Sequence, residues 1–293
     1  MSISRRQLLG LGAGAAVLGG AGLAAGVATD RLPGRVKIGY KLQLDGSPVA
    51  RPEGPAGPVT SHTFRSEHRP GVDEPWALSL PPDTPAKGLP VVVVLHGWGD
   101  DHAFCFDQIG MGVLQARVVA DGGQPFALAS LDGEESYWHR RANGVDWARL
   151  VSEGLLGELD TMGLDTSRLG LIGWSMGGYG ALRLAAEELR GKVKAAASMA
   201  TAIYPAWGQS PHATAFDDEA DYNRNNLNDK IPQLAGLPVH LACGMNDHYI
   251  RINRWLAEQL DPEPQTMFQL GDHTANFWRK AAGPQLRFLA DRL

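Results

Sequence analysis

The segment from Leu169 to Arg190 constrains the fold more than any other part of this chain. An apolar run, Leu169 to Trp174, is followed without a break by Met176 to Arg190, which is rich in Ala and Leu. The first predicts a strand and the second a helix. Between them stands Gly173-Trp174-Ser175-Met176-Gly177. A Gly-x-Ser-x-Gly turn at a strand-to-helix junction lifts the serine hydroxyl above a sheet, and the flanking glycines let two backbones pass closely. The helix N-terminus then directs its unpaired amides at the same place, where they favour developing negative charge.

The rest of the chain has the same alternation. Val59 to Phe64 and Trp76 to Leu80 predict two leading strands, the second ended by Pro81-Pro82. Val91 to Leu95 is a continuous β-branched run, expected of a strand buried on both faces. Further strands are expected at Phe126 to Leu131, Lys194 to Ala200, Pro238 to Cys243 and Thr266 to Leu270. Helices are expected over Phe104 to Ala120, Trp147 to Met162, Ile250 to Leu260 and Ala275 to Leu293, while residues 201 to 230 read as polar and irregular. This order predicts an α/β domain over residues 59–293, a mostly parallel central sheet with helices on both faces. In such sheets the reacting groups gather at the carboxyl ends of the strands.

Residues 1–30 have another character. Arg5-Arg6 precede an uncharged stretch of Gly, Ala, Leu and Val that ends near Ala28. A basic head before a mildly apolar run is the pattern of a twin-arginine export signal, which carries folded proteins across a bacterial membrane. The expected location is therefore periplasm, cell envelope or medium, with cleavage near Ala28; retention as an anchor is the alternative, since the run is long enough to span a bilayer. Residues 31–58 read as a lead-in, with a short strand at Val36 to Leu42, and a Pro/Gly-rich linker from Asp45 to Pro58. The formal charge of −5 argues against a nucleic-acid partner. The two cysteines, Cys105 and Cys243, sit in apolar surroundings and read as thiols rather than a bridge. There is no His-Glu-x-x-His or Cys-x-x-Cys spacing, so neither metal nor cofactor is expected.

A serine nucleophile needs a base, and the base needs an orienting carboxylate. In this arrangement the chain order is serine, acid, histidine. Among the histidines beyond Ser175, His273 lies between the last strand and the last helix, where a returning loop brings an imidazole over the turn. His240 falls inside a strand and reads as a core residue, with His212 and His248 as weaker candidates for the base. Asp247 closes the strand ending at Cys243 and takes the acid position, in preference to Asp272, the sequence neighbour of His273. Two amides should form an oxyanion hole: that of Met176, and that of Trp98 in the His96-Gly97-Trp98-Gly99 loop. His96 follows the Val91 to Leu95 strand, and Tyr137 and Trp138 lie in the loop Asp132 to Arg141 after another strand end; all three are candidates for lining the substrate pocket, and Arg140 and Arg141 for meeting an anion.

Taken together, Gly173-Trp-Ser-Met-Gly-Gly-Tyr-Gly-Ala-Leu182, His96-Gly97, Asp247, and His273 with Phe277-Trp278 resemble the putative-esterase family. This family includes S-formylglutathione hydrolases, feruloyl esterases and mycobacterial mycolyltransferases. The resemblance implies an α/β-hydrolase fold, a triad of Ser175, His273 and Asp247, and a small-molecule, lipid or sugar ester as substrate. Mycolyltransferases are expected to carry Asp where His96 stands, which draws the chain towards the esterases. Hydrolysis of a carboxylic ester through an acyl-enzyme is the leading expectation. Two others remain open: transfer of an acyl group to a sugar of the cell envelope, and a non-catalytic envelope protein on the same fold. Peripheral contact with the envelope is a further expectation, and the oligomeric state is left open.

Overall fold

The computed structural model of the protein describes residues 48–210 and 214–293. The expected export signal, the expected strand Val36 to Leu42 and His212 lie outside the described residues. Eight strands form one sheet: β1 (Val59–Phe64), β2 (Glu74–Ser79), β3 (Pro90–Leu95), β4 (Ala127–Leu131), β5 (Asp165–Trp174), β6 (Val193–Met199), β7 (Val239–Gly244) and β8 (Gln265–Gln269). Their order is β1-β2-β4-β3-β5-β6-β7-β8. The β1–β2 and β2–β4 pairs are antiparallel; every later neighbour is parallel. The fold is thus the α/β-hydrolase fold, with its antiparallel pair at one edge.

The centre of the sheet follows directly from the sequence. Val91 to Leu95 are each fully buried, as a strand covered on both faces requires. Six helices matter below: α1 (Met111–Ala120), α2 (the run Trp147–Arg149, Leu150–Leu155 and Leu156–Thr161), α3 (Met176–Ala186), α4 (Glu219–Asn225), α5 (Ile250–Gln259) and α6 (Ala275–Ala290). α3 packs on β5 and β6, and α6 packs on α1 and against β5 to β7.

Three expectations are corrected. The helix expected over Phe104 to Ala120 is two pieces, because Gly110 at φ 81° ends a π-helical turn (Cys105–Ile109) before α1 begins. The segment 201–230, read as irregular, contains α4, capped by the Asp218 carboxylate on the Asp221 amide, and the start of a 3₁₀ turn at Asn228–Leu234. Residues 48–58, read from composition as a linker, are strapped to the domain. Arg117 holds the Glu53 carbonyl at 2.6 Å, Arg51 reaches the Phe106 carbonyl at 3.1 Å, and Arg279 of α6 holds the Val49 carbonyl at 3.2 Å. Cys105 and Cys243 are both buried and not joined in a disulfide; burial pushes the Cys105 thiol up to about 12.

Candidate active site

β5 ends at Trp174 and α3 begins at Met176, so Ser175 occupies the whole turn alone. Its backbone sits at φ 54° and ψ −118°, a strained conformation for a non-glycine residue. Packing on both sides enforces it. A Cβ on Gly173 would lie 2.3 Å from the Gly177 carbonyl oxygen, and one on Gly177 would lie 1.9 Å from that of Leu95. Both glycines are therefore required for α3 to start this close to β3 and β5. The Ser175 amide is tied to the Met199 carbonyl at 2.8 Å, which locks the turn to β6.

Two other strand ends deliver partners to this hydroxyl. His273 lies between β8 and α6, and its Nε2 is 2.9 Å from Ser175 Oγ. Asp247 follows β7, is fully buried, and presents Oδ2 to His273 Nδ1 at 2.8 Å. A carboxylate only accepts, so Nδ1 carries the proton and Nε2 is left to accept from the serine hydroxyl. The other oxygen, Oδ1, accepts the Tyr249 amide at 2.8 Å, which fixes the carboxylate plane. The imidazole is further walled by Trp278 edge-on at 5.0 Å, by His248 at 4.8 Å and by Tyr249 at 5.4 Å, centroid to centroid. Asp272 does not share in this: its Oδ1 accepts the Thr274 hydroxyl at 2.6 Å.

Met176 is the first residue of α3, where an amide has no acceptor within its own helix. Trp98 lies in the turn after β3, between Gly97 and Gly99 (φ 75°), and that turn is braced from several sides. Asp100 accepts the Trp174 indole N–H at 2.8 Å and donates its own amide to the Gly97 carbonyl. Burial pushes the Asp100 carboxyl up, with the Trp174 indole opposing. At the far end of the loop, His102 Nδ1 and its amide both meet Asp132 Oδ1, at 2.7 and 2.6 Å. Asp132 raises the His102 pKa; burial works against ionised Asp132, but its bonds to His102 leave it lowered.

The three candidate pocket-lining residues are placed elsewhere. His96 is fully buried: Nδ1–H donates to the Gly97 carbonyl at 2.8 Å and Nε2 accepts the Gly133 amide at 2.8 Å. Burial lowers its pKa, so it is a neutral brace between the loops after β3 and β4 rather than a substrate contact. Trp138 is fully buried, wedged against Gly133 and Gly180, with its indole donating to the His96 carbonyl at 3.3 Å. Tyr137 is buried too, its hydroxyl bonded to that of Tyr204. Both take positive φ, 55° and 57°, which turns their side chains inward. Arg141 is held by Asp217 and by the Ser136 and Thr214 carbonyls, an internal set of partners in place of an external anion. His240 lies buried in β7, as its position in a strand implies.

Sequence reasoning did not find Tyr204, Tyr249 or Asp100. Tyr204 bonds the Tyr249 hydroxyl at 3.0 Å, so a chain of phenols runs from beside His273 to Tyr137. The one available signal was that His248-Tyr249 directly follows Asp247.

Solved structures share this architecture. A ferulic acid esterase superposes with a TM-score of 0.69 at 16% identity, over 80% of this chain and 99% of its own. An S-formylglutathione hydrolase from Agrobacterium tumefaciens gives 0.68 at 18%, over 85% and 100%. MPT51 (FbpC1) from Mycobacterium tuberculosis gives 0.61 at 16%, over 81% and 99%. No curated protein sequence matches the chain. Fold and family together define a serine ester hydrolase of the α/β-hydrolase fold. The chain belongs to the putative-esterase family, whose profile matches residues 68–281.

Proposed function

We propose that the protein is an exported esterase that cleaves carboxylic esters through a Ser175–His273–Asp247 triad and an acyl-enzyme. The observation that carries this reading is the relay of two short hydrogen bonds, 2.9 Å from Ser175 Oγ to His273 Nε2 and 2.8 Å from Nδ1 to Asp247. Ser175 Oγ attacks the ester carbonyl as its proton passes to Nε2. Asp247 keeps Nδ1–H in place and stabilises the imidazolium that forms. The carbonyl oxygen becomes an oxyanion, received by the amides of Trp98 and Met176. The C–O bond breaks, the alcohol leaves with the proton from Nε2, and Ser175 carries the acyl group. Water then gives its proton to Nε2 and attacks the acyl carbon; the bond to Oγ breaks, Oγ takes the proton back from Nε2, and the acid is released. No step calls for a metal or cofactor.

Export rests on Arg5-Arg6 before the apolar run. Replacing both with lysine should hold the protein inside the cell, and unchanged export would reject the twin-arginine route. The chemistry is tested with p-nitrophenyl esters of rising chain length, followed by stopped flow. A burst of p-nitrophenol equal to the enzyme concentration is expected when deacylation is slow. Adding trehalose or glycerol separates hydrolysis from transfer: the proposal expects free acid, and an acylated sugar as main product would overturn it.

A further inference from the structure

Away from the serine, a cavity of about 550 Å³ opens between α4, the segment that follows it, and α5. That volume is in the range of small-molecule sites. Nothing in the ester chemistry uses it. Its walls are of two kinds. Tyr222, Trp255, Ile252 and Pro205 supply apolar surface, two of them aromatic rings. The other four of the eight lining residues are Asn223, Asn226, Asn228 and Asp229. Half amide or carboxylate and half apolar is a poor match for a lipid chain or an apolar peptide, which would leave the polar half desolvated.

The polar half is built, with two acceptor oxygens and one exposed amide left over. Tyr222 Oη and Asn228 Nδ2 both donate to the Tyr204 carbonyl, at 2.8 and 2.9 Å. Asn226 Nδ2 donates to Asp229 Oδ2 at 2.9 Å, and its Oδ1 accepts the Asp229 amide at 3.1 Å. These bonds fix the orientation of Asn226, Asn228 and Asp229. Asp229 Oδ1, Asn228 Oδ1 and the exposed amide of Asn223 have no partner among the described residues. No lysine or arginine is among the described lining residues, and Asp229 would repel an anion, so a phosphate or carboxylate ligand is disfavoured. Trp207, 41% exposed, has its ring 6.3 Å from that of Tyr222.

We propose that this cavity is a binding site for a neutral sugar ring, separate from the catalytic serine. A pyranose or furanose has one face of C–H groups, which lies on an aromatic ring, and a rim of hydroxyls that both donate and accept. Trp255 and Tyr222 meet the face; Asp229 and the asparagines meet the rim. The site connects to the catalytic one through Tyr204. Its carbonyl anchors the cavity, and its hydroxyl bonds Tyr249, which packs on His273.

The test reads binding, not turnover, so it stands apart from the hydrolase reading. Methyl glycosides of glucose, mannose, galactose and arabinose, with maltotriose as a chain, are titrated against the protein by saturation-transfer NMR. At least one should bind in the millimolar range. Trp255→Ala should weaken it about tenfold or more, and exposed Asn223→Ala about threefold, with folding checked by circular dichroism and p-nitrophenyl ester hydrolysis unchanged. Tighter binding of maltotriose than of methyl glucoside would assign the ligand to a glycan chain, and equal binding to a single ring. The proposal is overturned if no glycoside binds, if both variants bind as the parent does, or if blocking Ser175 with a fluorophosphonate abolishes binding.

Discussion

Asp247→Asn is the substitution whose effect the geometry dictates most fully. Two neighbours decide the outcome: the Tyr249 amide donates to Oδ1 at 2.8 Å, and His273 Nδ1 faces the other oxygen at 2.8 Å. Asparagine has one acceptor oxygen and one donor NH₂. If the oxygen stays with the Tyr249 amide, the NH₂ points at Nδ1 and clashes with its proton. The imidazole then shifts to the Nε2–H tautomer, which cannot accept from Ser175. If the amide flips, the NH₂ meets the Tyr249 N–H and a buried donor pair is left unsatisfied. Either way the competent state is rare, and the imidazolium loses its counter-charge. The expected loss in kcat is about 10³- to 10⁴-fold, the size of the same change in another triad, or about 4 to 5.5 kcal/mol of barrier. Asp272→Asn is the matched control. Its Oδ1 only accepts the Thr274 hydroxyl, which an amide oxygen also does, so the loss should stay under about tenfold. The assay is p-nitrophenyl ester hydrolysis of both variants at one pH, with chemistry rate-limiting and folding verified. A crippled Asp272→Asn beside a mild Asp247→Asn would refute the argument.

Two further outcomes follow from buried histidines. His240 accepts the Gln285 amide at 3.2 Å, and burial holds its pKa down to about 4 from 6.5. The unfolded chain therefore takes up the proton first, so stability is full above about pH 6.5 and drains as pH falls towards 4, by about 2 kcal/mol at pH 5 from this residue. Urea unfolding of His240→Phe should lose about 2 kcal/mol less between pH 7 and pH 5 than the parent, and an identical pH dependence would contradict the assignment. His96→Ala removes the bonds that join Gly97 to Gly133, so kcat should fall about 10- to 100-fold with KM little changed, as expected when oxyanion donors shift by a fraction of an ångström. Unchanged kcat would show that the loop keeps its place without this brace.

The sheet was legible because its strands are unambiguous: a run such as Val91 to Leu95 has no other use than a strand covered on both faces. The meeting of Ser175, Asp247 and His273 was legible for a related reason, since each stands at a strand end and the strands run parallel. What position at a strand end does not give is the direction of a side chain. His96 directly follows β3 and Tyr137 and Trp138 lie in the loop after β4, yet the last two take positive φ and all three are buried. Gly110 broke an otherwise continuous helical pattern, because a single glycine inside such a pattern is compatible with either outcome. The docking of residues 48–58 left no trace in their composition. It is made by arginine side chains meeting backbone carbonyls, and backbone groups are the same in every sequence. α4 was hidden for the converse reason: its Asn and Asp residues favour caps and turns, and tertiary contacts overrode that preference.

The central claim is that one hydroxyl, Ser175 Oγ, carries the reaction. Its most direct test is intact-protein mass spectrometry after treatment with a fluorophosphonate, followed by peptide mapping and by turnover of the Ser175→Ala protein. The account predicts one adduct per chain, on Ser175, no adduct on the alanine variant, and a loss of turnover on the order of 10⁶. An adduct on another residue, or substantial ester hydrolysis by folded Ser175→Ala, would contradict it.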